Sequence, residues 1–256
     1  MILVIDIGNT DIVFGLHDKD GWRTPLRRPT SEKSTEAYQL FLANQLYEAA
    51  IDPADIHQVV LSSVVPAVTP ALFHIVEGLF HQEPLIVGPA VYPHLDIQVA
   101  NPEEMGADLV ANAVAAYDRF RQCCIIVDFG TALTFTAVGQ AGEILGVAIA
   151  PGLKTSMYAL FHNTAQLPEV PLELPKSALG QDTTHALQAG ILIGYVGLVE
   201  KLLDTITREL AMPCKVVATG GLSGILTPLR DRFDQVDRLL TLDGLRIIGE
   251  QVGRRV

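Results

Sequence analysis

The residues best suited to chemistry sit in short carboxylate-bearing turns. Asp6-Ile7-Gly8-Asn9-Thr10 ends the apolar run Ile2-Leu3-Val4-Ile5 with an acid, a glycine and two small hydrogen-bonding residues. Gly8 permits close backbone approach, and successive N–H groups in such a turn could cradle a phosphate. Taken alone, a turn of this kind is more often an ordinary hairpin end. Asp128-Phe129-Gly130-Thr131 repeats the pattern after Ile125-Ile126-Val127, 122 residues further on. Two such strand ends would face each other if the halves pack with pseudo-twofold symmetry, giving a cleft for a nucleotide and its cation. Paired acids buried there without a cation would be costly. Neither turn carries a Walker lysine, so metal ions would have to neutralise the phosphates.

Gly106-Ala107-Asp108 lies in or just before a helix. Asp108 could act as a general base on an alcohol, or it could serve only the electrostatics of a helix start, the commoner role. Thr219-Gly220-Gly221 leaves room for an adenine or ribose, or is a plain strand-to-helix bend. Gly190, Gly194 and Gly197 fall at helical spacing and read as sites of close helix packing. The seven histidines form no HxH or HExxH, and no zinc site is expected from them. The three cysteines show no CxxC and no disulfide framework, which points to a reducing compartment. No G-x-S-x-G is present, and no GxGxxG follows a strand.

These turns need a scaffold, and the chain can supply one. Its 256 residues suffice for one large domain or two small ones. Hydrophobic residues make up 49% and charged residues 18%, with mean hydropathy +0.31, which rules out intrinsic disorder. The net charge of −11 argues against non-specific nucleic-acid binding. The longest apolar stretch, Ala189 to Val199, has eleven residues, short of the about 20 a membrane span needs. The N-terminus has no basic segment of the signal-peptide kind. Strands are expected over Ile2–Ile7, Ile12–Leu16, Val59–Ser63, Leu133–Val138 and in the run Lys215–Gly221, and helices over Thr35–Ala50, Pro70–Phe80, Glu103–Phe120 and Thr184–Leu210. The pattern predicts a mixed α/β protein built from two similar halves, 1–117 and 118–256.

At this point the sequence resembles the type III pantothenate kinases, members of the acetate kinase, sugar kinase and actin superfamily. The resemblance runs almost end to end: Asp6-x-Gly8-Asn9-Thr10, Ser62-Ser63-Val64-Val65-Pro66, Asn101-Pro102, Gly106-Ala107-Asp108 and Asp128-Phe129-Gly130-Thr131-Ala132. It continues through Pro151-Gly152-Leu153, Thr164-Ala165-x-Leu167-Pro168, Gly180-x-x-Thr183 and Ala218-Thr219-Gly220-Gly221. It implies duplicated ribonuclease H-like (actin-like ATPase) domains with an interdomain nucleotide cleft, in a homodimer; the charge, hydropathy and cysteine usage above point to a cytoplasmic protein with no nucleic-acid or membrane partner. The implied reaction is ATP-dependent phosphorylation of pantothenate to 4'-phosphopantothenate, the first step toward coenzyme A.

By the same resemblance, ATP is bound by Asp6, Ile7, Gly8, Asn9, Thr10, Asp11, Ile12 and Val13, with Thr131 as a further contact. Asp6 stands near Mg²⁺, and Asp128 matches the position of a monovalent cation, K⁺ or NH₄⁺. Asp108 matches the catalytic base, and Gly106, Ala107, Asp108 and Thr183 match the pantothenate side. Several positions depart from the family pattern. Leu109 stands where the family usually has an arginine that contacts substrate, and Val99 where it often has tyrosine. Tyr92-Pro93-His94 replaces a common Lys-Thr-Gly, and Asp11-Ile12 the usual Asn-Thr. Leucine cannot reproduce a fork of N–H donors, so Arg119 and Lys154 become candidates for that role. An acceptor pocket changed in this way also admits a kinase of another small alcohol, or a non-catalytic nucleotide-binding regulator.

Overall fold

The computed structural model describes residues 1–30, 34–223 and 226–254. They form two compact units, Met1–Ala115 with Leu240–Val256, and Ala116–Leu239. In the first, β1 (Ile2–Ile7) and β2 (Asp11–Asp18) make an antiparallel hairpin, and the short β3 (Gly21–Trp22) and β4 (Leu26–Pro29) extend it along β2. On the other side of β1 run β5 (Gln58–Ser63) and β6 (Leu85–Ile86), both parallel to it. The sheet order is β3-β2-β1-β5-β6, with β4 also on β2.

The second unit repeats this plan. Its β7 (Cys124–Phe129) and β8 (Ala132–Val138) form the hairpin, with β9 (Ile144–Pro151) added antiparallel to β8. Parallel β10 (Lys215–Thr219) and β11 (Gln235–Val236) continue from the other side of β7. In each sheet the first strand of the unit is central, its hairpin partner lies to one side, and the parallel strands lie to the other. The echo between the two Asp-x-Gly segments is therefore an echo of topology. Register makes it exact to the residue: Asp6 pairs across to Ser62, and Asp128 to Thr219.

Strand alternation assigns the faces. Leu3, Ile5 and Ile7 join Leu61 in a core covered by Tyr38, Leu42 and Leu46 of α1 (Thr35–Glu48) and Leu72, Ile75 and Val76 of α2 (Thr69–Phe80). Spacing of three and four residues puts each helical set on one face. The Ser34 side chain caps α1 by accepting from the Ala37 N–H at 3.3 Å. Asp6 and Ser62 alternate onto the opposite face, with Val4 and Val60. In the second unit, Ile125, Val127 and Phe129 pack on Leu192, Tyr195, Val199 and Leu203. Those four lie on one long helix, Thr183–Leu210.

After α3 (Ala107–Phe120) and α4 (Leu153–His162), a continuous helix runs from Thr183 to Leu210. It comprises α5 (Thr183–Gln188), a π turn (Ala189–Ile193) and α6 (Gly194–Leu210). Its length and composition would suit a membrane span, yet one face is part of the second core. The expected packing of its glycines is overturned: a Cβ at Gly190, Gly194 or Gly197 would meet nothing within 4 Å. They lie on the exposed face, beside Ile193.

The final helix, α7 (Leu240–Gly253), follows the second half in sequence but packs on the first sheet. Gly244 lies against the Ala111 backbone, and Gly249 against Val60. The Trp22 indole N–H donates to Asp243 at 2.7 Å, and Gln58 Nε2 donates to the Gly249 carbonyl at 3.0 Å. A division at 117/118 follows chain order, whereas packing returns this helix to the first unit.

The cysteine reading is also corrected. Cys123 and Cys214 form a disulfide across 91 residues of sequence, with Cα atoms 4.6 Å apart. The parallel pairing of β7 and β10 brings them together, and the Lys215 N–H donates to the Cys123 carbonyl at 2.8 Å. The pairing withdraws the support that the cysteine count gave to a reducing compartment.

Candidate functional site

In the first unit, β1 delivers Asp6 to its C-terminal end and the chain turns back through Asn9 and Thr10, both exposed. The Gly8 N–H donates to the Asp11 carbonyl at 3.0 Å and closes the turn. Ile7 and Ile12 pair directly across the hairpin and are fully buried, and Val13 is buried beside them. Of the segment 6–13, these three can offer a ligand only backbone, while Asp6, Asn9, Thr10 and Asp11 retain accessible surface.

The turn is held from behind by a residue that sequence reasoning missed. The Thr30 hydroxyl donates to the Gly8 carbonyl at 2.6 Å, and the Thr30 N–H donates to the Thr10 carbonyl at 2.9 Å. Thr30 directly follows β4, so it continues the β4–β2 ladder by one residue. No composition signal marks it, because only the hairpin's register brings residue 30 to residue 8.

Asp108 occupies the first turn of α3, where the helix's N-terminal partial charge favours an anion. Gly106 makes room for it: a Cβ there would stand 2.6 Å from the Asp108 carboxylate. The same carboxylate accepts the Leu109 N–H at 2.9 Å. Burial pushes the Asp108 pKa up, against the lowering effect of the backbone N–H groups of Leu109 and Asp108 itself. Buried Tyr92 lies near enough for the Asp108 charge to act on it; burial first, then Asp108 and Glu103, raise its phenol to about 12. Its hydroxyl donates to the Met105 carbonyl at 3.1 Å, tying the segment before α3 in place. Ala107 and Leu109 are both buried. Gly106, Ala107 and Asp108 thus form one compact element, but the Leu109 side chain offers no polar group to it.

In the second unit, Asp128 stands at the end of β7 beside Gly130 and Gly220. Gly220 has φ +89°, a conformation that favours glycine, and a Cβ there would lie 2.6 Å from an Asp128 oxygen. The Ser223 hydroxyl donates to the Gly220 carbonyl at 2.8 Å. Thr131 is exposed at the turn, and its carbonyl accepts the Thr155 hydroxyl at 2.6 Å and the Gly152 N–H at 3.1 Å. Gly152 packs so tightly on Gly130 and Thr131 that no side chain fits there. The structure therefore gathers Asp128, Gly130, Thr131, Gly152 and Gly220 into one cluster.

Thr183 lies elsewhere in this unit, at the start of α5 behind its cap Asp182, whose side chain accepts the His185 N–H at 2.8 Å. A cavity of about 500 Å³ opens there, lined by Leu167, Gly180, Gln181, Asp182, Thr183 and Leu187. Of the two proposed substitutes for an arginine, Arg119 is committed to Asp237 at 2.7 Å. Lys154 stands exposed in the first turn of α4, next to Thr155.

The donor chemistry suits a metal that arrives with a nucleotide. Among the described residues, no group of three or more His, Cys, Asp or Glu side chains forms a ready-made cage. Single carboxylates such as Asp6, at a turn rich in N–H groups, match the way Mg²⁺ is held by one or two acids plus substrate phosphates.

Comparison with known proteins adds an independent view. The sequence profile of the type III pantothenate kinase family matches residues 2–205. The type III pantothenate kinase of Treponema pallidum is 43% identical over 258 residues, covering 98% of this chain and 94% of that protein. The enzyme of the same description from Myxococcus xanthus is 43% identical over 254 residues, covering 97% of each chain. Among solved structures, a 2-dehydro-3-deoxygalactonokinase protein from Sinorhizobium meliloti matches with TM-score 0.59 and 13% identity, covering 98% of this chain and 97% of that one. At that identity the match speaks for the fold alone: the actin-like ATPase and sugar kinase architecture.

Proposed function

The chain belongs to the type III pantothenate kinase family and phosphorylates pantothenate at the expense of ATP in coenzyme A biosynthesis; from that premise we propose how its residues divide the reaction. The observation that carries the proposal is Asp108, a half-buried acid at a helix start whose pKa is raised by that burial, with a glycine reserved beside it. Asp108 accepts the proton of the primary hydroxyl of pantothenate. The hydroxyl oxygen forms its bond to the γ-phosphorus as the bridging P–O bond to ADP breaks. Phosphoryl transfer is largely dissociative, so positioning and charge stabilisation supply most of the rate.

The turn from Asp6 to Asp11 offers N–H groups to the phosphates, with Ile7, Ile12 and Val13 contributing through the backbone. Asp6 would hold the divalent metal that accompanies ATP, whose charge would offset that of the phosphates. Asp128 would hold a monovalent cation, K⁺ or NH₄⁺, and Thr131 would contact the nucleotide. Gly106, Ala107 and Thr183 line the pantothenate side, the last in its own cavity.

We further assign a homodimer and a cytoplasmic location. The second unit exposes Ile149 (69%), Tyr158 (61%) and Leu179 (86%), together with the glycine face of the helix 183–210. These side chains are the candidate contacts for a second copy of the chain. The test of the whole assignment is ADP release with ATP and Mg²⁺, with and without pantothenate, in K⁺ and in Na⁺. Pantothenate-dependent release that needs K⁺ and is lost in Asp108→Asn supports it. Release that ignores Na⁺ replacement removes the role of Asp128, and release that survives in Asp108→Asn removes the base.

A further inference from the structure

We infer that Thr30 is a positioning residue for the phosphate-binding turn, fixing the direction in which the turn's amides point, with Tyr38 as its anchor. The inference rests on the assignment of residues 6–11 to ATP. Thr30 holds two carbonyls of the turn, those of Gly8 and Thr10. A peptide is planar and trans, so its N–H points opposite to its C=O. With the Gly8 and Thr10 carbonyls drawn back to Thr30, the N–H groups of Asn9 and Asp11 are aimed away from it. A rotation of either peptide would present an oxygen in place of a donor, and an oxygen repels a phosphate.

Thr30 is itself held. The hydroxyl of Tyr38, buried on α1, shares its one proton between the Pro29 carbonyl at 2.9 Å and the Thr30 carbonyl at 3.0 Å. Thr30 is 8% exposed, so its hydroxyl makes a hydrogen bond little weakened by solvent. The second unit uses the same device at its own turn: the Thr155 hydroxyl and the Gly152 N–H both hold the Thr131 carbonyl. Each unit therefore sets one threonine hydroxyl and one backbone N–H against the carbonyls of its turn.

The test compares Thr30→Val, Thr30→Ser and Asp6→Asn for steady-state kinetics in ATP and in pantothenate, with thermal melting of each. Valine keeps the shape and removes the donor. Thr30→Val is expected to lower kcat/KM for ATP by about 5- to 100-fold, the range a lost buried hydrogen bond gives. KM for pantothenate stays within about twofold, and Thr30→Ser restores most of the loss. A purely structural role would lower the melting temperature in Thr30→Val while leaving both KM values alone, and that result overturns the inference. Asp6→Asn separates the two levels. If it too leaves ATP use intact, the ATP assignment of the turn fails; if it impairs ATP use while Thr30→Val does not, only the role of Thr30 fails.

Discussion

Gly220 lies directly against Asp128: any Cβ at residue 220 would stand 2.6 Å from the Asp128 carboxylate oxygen. The two residues come from neighbouring parallel strands, Asp128 in register with Thr219 and Gly220 one step beyond. Alanine at 220 would have to adopt φ +89° and would push the carboxylate aside. Gly220→Ala should therefore destabilise the protein by about 1 kcal/mol or more from backbone strain. It should also raise the K⁺ concentration needed for half-maximal activity, read from a K⁺ titration of turnover. An unchanged K⁺ titration would separate Asp128 from the cation.

Asp108 carries opposite consequences for stability and catalysis. Burial raises its pKa above the ordinary carboxylate value of 3.8. The folded state therefore binds this proton more tightly than the unfolded chain does. The stability it contributes is present below the unfolded pKa and declines as pH rises through the folded pKa. Asp108→Asn removes that charge yet keeps an oxygen for the Leu109 N–H, so the variant should melt higher than wild type at neutral pH. Its turnover should fall by about 10²- to 10⁴-fold, as loss of a general base predicts. Below the ordinary carboxylate value of 3.8 the two melting temperatures should converge, which a pH series of thermal melts reads directly.

The Cys123–Cys214 disulfide closes a long loop at the ends of β7 and β10 remote from the turn at residues 128–131. Loop-closure arguments give such a bridge about 2–4 kcal/mol. Reduction, or Cys214→Ser, should lower the melting temperature while leaving activity well below that temperature intact. Cys124, buried with its thiol raised to about 12, should resist alkylation in the native protein.

The proposed dimer can be tested at exposed apolar side chains of the second unit. Ile149 sits on β9, an edge strand, and Tyr158 on α4. Ile149→Glu combined with Tyr158→Glu should halve the mass measured by light scattering, with little loss of fold because both side chains are exposed. A wild-type protein that is already monomeric at micromolar concentration would contradict the dimer.

The parts of this structure that are legible in the sequence are those that local pattern determines. The paired Asp-x-Gly turns, the two hairpins and the helices facing each core follow from alternation, glycine placement and helical spacing. Asp108 is legible as a helix-start acid, but its partial burial is not, because that depends on tertiary packing that brings separate segments such as the one bearing Tyr92 close to it. The helix expected over Glu103–Phe120 begins only at Ala107, after a 3₁₀ turn at Pro102–Glu104. What the sequence hides is whatever register or return of the chain creates: Thr30 behind Gly8, the Cys123–Cys214 bridge, and α7 folding back onto β1 and β5. The glycines at 190, 194 and 197 mislead for a related reason. Helical spacing shows that they share a face, not whether that face looks inward.

The most direct test of the account is mass-resolved formation of 4'-phosphopantothenate from ATP and pantothenate by wild type and Asp108→Asn, each confirmed folded by its melting curve. The account predicts steady product from wild type and almost none from a variant at least as stable. Comparable product from both would contradict it, because phosphoryl transfer would then proceed without the group placed at its centre.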